Sequence, residues 1–362
     1  MPRTTREQIE NRSIIVLSFV FLFKYVTQRD LNLLGNTINI SFMRPTVQWL
    51  LKNKLIASFK IQEPFKTTGY FLTSGGLARI PQVLLQYEYR FTPTMYASNL
   101  AFHSEGIVEI CLLLKRHQPN AAYWLSEWMF RQDKTFGMDG SKEGGLKWKN
   151  LAGRWPDGLF VLNKFSRIAI EYEKSSKSYQ NWIEIIKGLE LSFELKERKG
   201  RNTYGVDKTR DYESVLFIFN DRKIFNSYLI RLHNPVASKN RLSREKEPMD
   251  ISFKRYFLTT LEDLRNGNVF RPLPGGGPVS RFNDIGIDGS MILKRLVDSG
   301  VLLRVGTGRV RVVMRPADKW QIIKGIAGER FKEVLALLEE LSSEKIAVSE
   351  MFSFVDSSAV NK

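Results

Sequence analysis

Arg154 to Lys177 reads RWPDGLFVLNKFSRIAIEYEKSSK, with two short apolar runs, Leu159 to Leu162 and Ile168 to Ile170, each bordered by a carboxylate. Side chains alternate along a strand, so Ile168, Ile170 and Tyr172 share one face of the second run while Ala169, Glu171 and Glu173 share the other. Asp157 opens the first run. A hairpin through Asn163 to Arg167 lays the two runs side by side and brings this third carboxylate near the pair. Such oxygen donors suit a hard divalent cation, Mg²⁺ or Mn²⁺, that keeps several waters and is shared with substrate phosphates. Lys174 and Lys177 follow at once. A lysine there can orient a nucleophile or neutralise charge at phosphorus, as metal-assisted phosphodiester cleavage requires.

The flanking periodicities predict a helix over Ser104 to Arg116, a strand within Ala121 to Phe130, a helix over Tyr179 to Glu194 and an apolar strand over Ser214 to Phe219. Phe136 to Gly145 reads as a glycine-rich loop. The order is helix, strand, strand, strand, helix, strand. Pro156-Asp157 before one strand and Glu171-Tyr172-Glu173 on the next resemble the PD-(D/E)xK nuclease superfamily, whose core follows this order. The simplest form of that motif has lysine where this chain has Glu173; the resemblance is to the E-x-E variant, with the lysine moved onto the following helix as Lys177. It implies that Asp157, Glu171 and Glu173 hold Mg²⁺ or Mn²⁺, with Lys177 beside the scissile phosphate. A further acid comes from Glu109 or Glu127. Glu127 is preferred because Trp124-Leu125-Ser126-Glu127 lies on an element expected beside the Asp157 strand, whereas Glu105 and Glu109 read equally well as helix surface charges.

Upstream, Ser13 to Phe23 is the most apolar run, about half the length that spans a bilayer, and reads as a buried first helix. Thr27 caps a short helix, Gln28 to Leu34, which Gly35 ends; Arg44-Pro45-Thr46 starts another with Val47, Leu50 and Leu51 on one face. Ile56 to Ile61 and Tyr70 to Leu72 read as two strands, and Thr73 caps a further helix. Helix, helix-turn-helix, hairpin, helix is the order of a winged helix, and Gly69 to Ile80 resembles its wing exit in bacterial proteins. On that reading Arg44, Thr46, Gln48 and Lys52 face a major groove, and Lys54, Lys60 and Lys66 lie near the wing, where phosphates pass.

The charge balance points to a polyanion. Fifty-five Lys and Arg stand against 38 Asp and Glu, a formal net charge of +17, which favours nucleic acid over a membrane surface. Cys111 alone excludes an intramolecular disulfide, and His103, His117 and His233 are too few for a histidine-based metal cluster. The expected setting is the cytoplasm. The run Lys196 to Lys199 with Arg201, Lys208 and Arg210 reads as a loop that is either simply solvated or tracks phosphates. No G-x-x-x-x-G-K phosphate loop is present, and Gly275 to Gly277 runs into proline rather than a helix.

Asn234 to Met249 is polar and bounded by prolines, as a linker would be. Beyond it, Phe253 to Leu264 reads as a helix, and Pro272 to Pro278 as a Gly-Pro loop. Ser290 caps a helix over Met291 to Ser299 that Gly300 ends, and Val301 to Leu303 and Val310 to Val313 flank a Gly306-Thr307-Gly308 turn. This looks like a second winged helix, with Lys294, Arg295, Arg304, Arg309 and Arg311 on a basic face. A last helix follows over Phe331 to Leu341. The expected architecture is therefore an α/β (α+β) restriction-endonuclease-like core, 96–235, between winged helices at 1–95 and 251–316, with a linker at 236–250 and a helical tail at 317–362.

The N-terminal module, Pro-Asp-Gly, and Glu171-Tyr172-Glu173-Lys174-Ser175-Ser176-Lys177-Ser178 together resemble the replication-relaxation family of mobile elements and the MobC-type conjugative relaxases, over roughly Ile14 to Ile230. The resemblance implies binding to double-stranded DNA of an origin of a plasmid or other mobile element and nicking of one strand, single-stranded DNA arising at the nick, with a homodimer or mobile-element proteins as further partners. Tyr172 and Tyr179 lie close enough to serve as nucleophiles and read more naturally as core residues. Two alternatives stand beside this: a non-catalytic DNA-binding initiator or regulator on a nuclease-like scaffold, and a defence or restriction endonuclease.

Overall fold

The computed structural model describes residues 6–37, 43–61, 67–84, 88–91, 98–119, 123–130, 156–162, 166–193, 196–199, 206–209, 212–233, 236–238, 246–248, 252–272, 288–304, 310–312, 320–340 and 343–360. Lys66, Arg309 and the stretches 62–66, 136–145 and 273–278 lie outside them. The fold is mixed α/β and contains one seven-stranded mixed sheet. The chain divides into two compact units, residues 1–172 with 196–211, and residues 173–195 with 212–362.

The first unit begins with helix α1, Arg6–Phe23, followed by strand β1, Tyr25–Thr27, helix α2, Gln28–Thr37, helix α3, Met43–Lys52, and strands β2, Ile56–Lys60, and β3, Thr68–Leu72. β3 is central in an antiparallel three-stranded sheet ordered β1-β3-β2. Tyr25, Phe59, Phe71 and Phe91 pack ring against ring at 5.1–6.0 Å on this sheet. Gly69 is required there, because a Cβ would lie 2.4 Å from the Phe59 ring. α2 starts with a reciprocal cap: the Thr27 N–H and hydroxyl donate to Asp30 Oδ2 at 2.8 and 2.9 Å, and the Asp30 N–H donates to Thr27 Oγ1 at 3.2 Å. Thr73 caps α4, Ser74–Leu77, as expected.

Helix α5, Ser98–His117, leads to strand β4, Tyr123–Ser126, helix α6, Glu127–Phe130, and strands β5, Gly158–Val161, and β6, Arg167–Glu173. β4, β5 and β6 are antiparallel neighbours, with Ser126 opposite Gly158 and Gly158 opposite Ile170. The two runs therefore lie side by side as antiparallel neighbours, as expected. Gly158 lets Trp124 lie flat on β5, since a Cβ there would be 2.1 Å from the indole; Gly106 of α5 does the same for Tyr172. The basic stretch expected as a loop instead forms β7, Lys196–Lys199, paired with β8, Val206–Thr209.

In the second unit, helix α7, Tyr179–Phe193, strand β9, Ser214–Phe219, and helix α8, Arg222–His233, supply Trp182, Phe217, Phe219, Phe225 and Tyr228 to a buried aromatic core. The stretch read as a linker carries β10, Val236–Ser238, paired with β11, Lys246–Pro248. The helix expected over Phe253 to Leu264 is not formed. A 3₁₀ turn, Phe253–Arg255, precedes strand β12, Tyr256–Thr260, and only then comes a short helix, α9, Leu261–Arg265. All five β12 residues are buried and β12 runs parallel to β9; an apolar run this short is a strand when a parallel neighbour is available. Strand β13, Asn268–Pro272, pairs antiparallel with β12 and with β16, Ser343–Ala347.

Between these lie helix α10, Gly289–Asp298, strands β14, Leu302–Arg304, and β15, Val310–Val312, and helices α11, Trp320–Ala327, and α12, Phe331–Glu340. They enclose a small core of Ile292, Leu296, Val301, Leu302, Ile323, Val334 and Leu338. The cap of α10 is Asp288, whose Oδ1 accepts the Met291 N–H at 3.2 Å, rather than Ser290. Helix α13, Val348–Val360, closes the chain, so the tail holds a sheet strand as well as helices. No helix among the described residues is long and apolar enough to cross a membrane.

Candidate active site and nucleic-acid interface

The β5–β6 hairpin places Asp157 around Glu171. The Asp157 N–H donates to Ile170 O at 2.9 Å, and its Oδ2 accepts the Tyr172 N–H at 2.7 Å, so the residue grips β6 on both sides of Glu171. Glu171 and Glu173 are each only 2 % exposed. They point the same way on β6, as alternation requires. Burying two carboxylates two residues apart is expensive unless cations or hydrogen bonds compensate. For Glu173 the compensation is visible: Oε1 pairs with Lys177 Nζ.

Lys177 is two residues short of α7 rather than on its face, because Ser178 opens that helix, its Oγ accepting the Asn181 N–H at 3.2 Å. The Lys177 backbone is held from α8, where Arg231 Nη1 donates to Lys177 O at 2.9 Å with its guanidinium over the rings of Tyr179 and Tyr228. The Asn220 N–H donates to Glu173 O at 3.0 Å. Sequence reasoning missed Arg231; a lone arginine on an amphipathic helix carries no signal.

Glu127 follows Ser126, the last residue of β4 to pair with β5, so it lies at the Asp157 end of these strands. It begins α6 instead of continuing the strand. Glu105 and Glu109 face another way, pairing with Arg29 of α2 at 3.5 and 3.7 Å. Tyr172 is buried against α5 and is a core residue. The donor set at the β5–β6 end is of the right kind for Mg²⁺ or Mn²⁺, being carboxylate oxygen throughout. It is not preassembled: among the described residues no three His, Cys, Asp or Glu stand close enough together to hold a metal ion.

On α3, Met43, Thr46, Val47 and Leu50 are buried, at the spacing of one helical stripe. Thr46, expected to face outward, is therefore a core position, fully buried. Arg44, Gln48 and Lys52 are exposed and, four residues apart, form one row on the opposite face. Lys54 and Lys60 are exposed as well. In the C-terminal module Lys294 and Arg295 are exposed on α10, and Arg311 belongs to β15.

Asp30 is the described acid with the clearest displacement. Burial pushes its carboxyl up to about 7, opposed by the hydrogen bonds from Thr27, assisted by the Glu105 charge and opposed by that of Arg29. Burial likewise raises the Cys111 thiol far above its ordinary range, which makes it an inert core residue.

Comparison with family models, curated proteins and solved structures returns no match.

Proposed function

We propose that the chain binds double-stranded DNA and cuts a phosphodiester bond in it with the help of Mg²⁺ or Mn²⁺, as a nickase acting on origin DNA of a mobile element. The observation that carries this is the β5–β6 hairpin, in which Asp157 brackets a buried Glu171, with Glu173 and Lys177 paired two residues further on. The succession α5, β4, β5, β6, α7, β9, interrupted only by the short α6 and the β7–β8 pair, supports it, being the order of a PD-(D/E)xK core. Within the first unit Asp157 and Glu171 would hold the cation, joined by Glu127, and the bound cation would supply charge neutralisation at phosphate and an acidified water. Lys177 pairs with the buried Glu173 and would offer an ammonium to a phosphate oxygen. The order α1, β1, α2, α3, β2, β3 with the sheet β1-β3-β2 supports a winged helix. Its α3 would present Arg44, Gln48 and Lys52 to a groove, and the net charge of +17 favours the polyanion.

A second reading has its own observation. Asp157 is engaged with the Tyr172 amide and Glu173 with Lys177, and no three-residue metal group is preassembled among the described residues. A DNA-binding initiator that keeps the hairpin as a scaffold would look the same. Supercoiled plasmid carrying the sequence around the protein's own gene separates the two when incubated with Mg²⁺, Mn²⁺ or chelator. Metal-dependent open circles, absent with Glu171→Gln, support the nickase. Intact plasmid in every metal, alongside tight and salt-sensitive binding, establishes the initiator.

A further inference from the structure

Trp128 joins the acidic end of the β4–β5–β6 strands to the DNA-binding module. It is the neighbour of Glu127 in α6, and its Nε1–H donates to Leu22 O, the last turn of α1, at 2.7 Å. Its indole meets Phe21 of α1 edge-on at 5.2 Å and Tyr89 at 6.2 Å, while Lys24 Nζ stands over it at 5.5 Å. Tyr89 reaches on into the module, its hydroxyl donating to Lys24 O and accepting the Leu72 N–H of β3 at 3.0 Å. On β4, which runs directly into α6, Trp124 faces Phe23 at 6.3 Å. A second tie lies on α2 and α5, where Arg29 pairs with Glu105 and Glu109. The two ties are formed by different elements, so a swing of the module about either would break the other.

From these contacts we infer that Trp128 is a positioning residue that makes α3 and the Glu127 end of the strands one piece, so that duplex DNA held on α3 meets the acidic residues at a single fixed offset from the recognised sequence. A module tethered by a flexible linker would sample many offsets. Here the scissile position is set by the protein frame and not by base identity at the cut. This rests on the DNA-binding part of the proposed function but not on cleavage.

The test uses a chemical cutter in place of the carboxylates. Cys111 is buried, so Glu127→Cys adds the reactive thiol, which is then conjugated with iron-EDTA. The probe is an end-labelled duplex selected from a random pool by the unmodified protein. The expected result is one cluster of radical cuts within about 10 base pairs, on one side of the protected sequence and unmoved when the DNA outside that sequence is changed. Adding Trp128→Ala should at least double the width of the cluster; Trp128→Phe, which keeps a ring and loses the Leu22 bond, should widen it less. Cuts scattered along both flanks with Trp128 in place overturn the inference, as does a cluster that neither Trp128 variant widens. A plasmid that resists nicking while the cluster stays sharp removes the nickase and leaves the fixed offset standing. Lack of protection on every duplex removes DNA binding and the offset together.

Discussion

Two regions of the chain share a local plan, a helix followed by a short antiparallel hairpin: α3 with β2 and β3, and α10 with β14 and β15. They are completed differently. The first hairpin gains β1 as a third strand, Tyr25–Thr27 in the link between α1 and α2, all three of them buried. The second has no third strand among the described residues, and the stretch expected to supply its leading helix is β12 in the large sheet. The helix ends differ too. α3 finishes on Lys54 at φ 55°, with the Leu55 N–H closing onto Leu50 O at 2.9 Å; α10 finishes on Gly300 at φ 69°, with the Val301 N–H closing onto Leu296 O at 2.9 Å. The same local pattern thus serves two settings: opposite its buried stripe α3 exposes Arg44, Gln48 and Lys52, whereas α10 exposes Lys294, Arg295 and the oppositely charged Asp298.

The largest effect lies outside both modules and isolates chemistry from binding. Glu171→Gln should lower plasmid nicking by roughly 10³-fold while DNA affinity stays within a factor of two. An equal loss of affinity would mean that the acidic end and the DNA-binding face are not separable functions.

The second prediction contrasts the helix starts. Asp30 is buried in the cap of α2, whereas Asp288, which caps α10, is exposed. The carboxyl of Asp30 rises from 3.8 to about 7 on folding, so the folded state binds its proton more tightly. Its contribution to stability is complete below pH 4, is lost as pH climbs towards 7, and is flat above that, at most about 1.4 kcal/mol per pH unit. Urea unfolding at pH 5 and pH 8 should show the loss in the wild type and a smaller one in Asp30→Asn.

A third experiment ranks the two faces directly. Arg44→Ala with Lys52→Ala should weaken duplex binding about 10-fold or more and lower the slope of log affinity against log salt by about 2. Lys294→Ala with Arg295→Ala should change affinity by less than about 3-fold, because the exposed Asp298 one turn along offsets the charge of Lys294. The reverse ranking would transfer the DNA contact to the C-terminal module.

The smallest effect concerns the helix ends. Lys54→Gly relieves a left-handed residue and should stabilise the protein by up to about 1 kcal/mol, and Gly300→Lys should cost a similar amount. Both are read as shifts in the thermal midpoint.

Much of the hairpin was legible because it is local. Alternation decided which side of β6 Glu171 and Glu173 share, and the short sequence separation of the two runs favoured the antiparallel pairing that brings Asp157 to Glu171. Thr46 was misplaced because a threonine on a helix reads as polar, and only the 43, 46, 47, 50 stripe shows it inward. Glu127 was misplaced because Trp124 and Trp128 suit a strand as well as a helix. The role of Trp128 had no sequence signal, since its partners Leu22, Tyr89 and Lys24 lie 106, 39 and 104 residues away.

The sequence by itself determined the elements whose signals close within a few residues: the caps at Thr27 and Thr73, the alternation of β6 and the excess of positive charge. Tertiary structure alone decided that Tyr256 to Thr260 is a strand, that Ser343 to Ala347 joins the sheet beside β13, and that a tryptophan next to Glu127 is bonded to the first helix. The reason is physical: caps and amphipathic faces are satisfied by neighbours along the chain, whereas a short buried run takes its conformation from whichever distant strand can pair with its backbone.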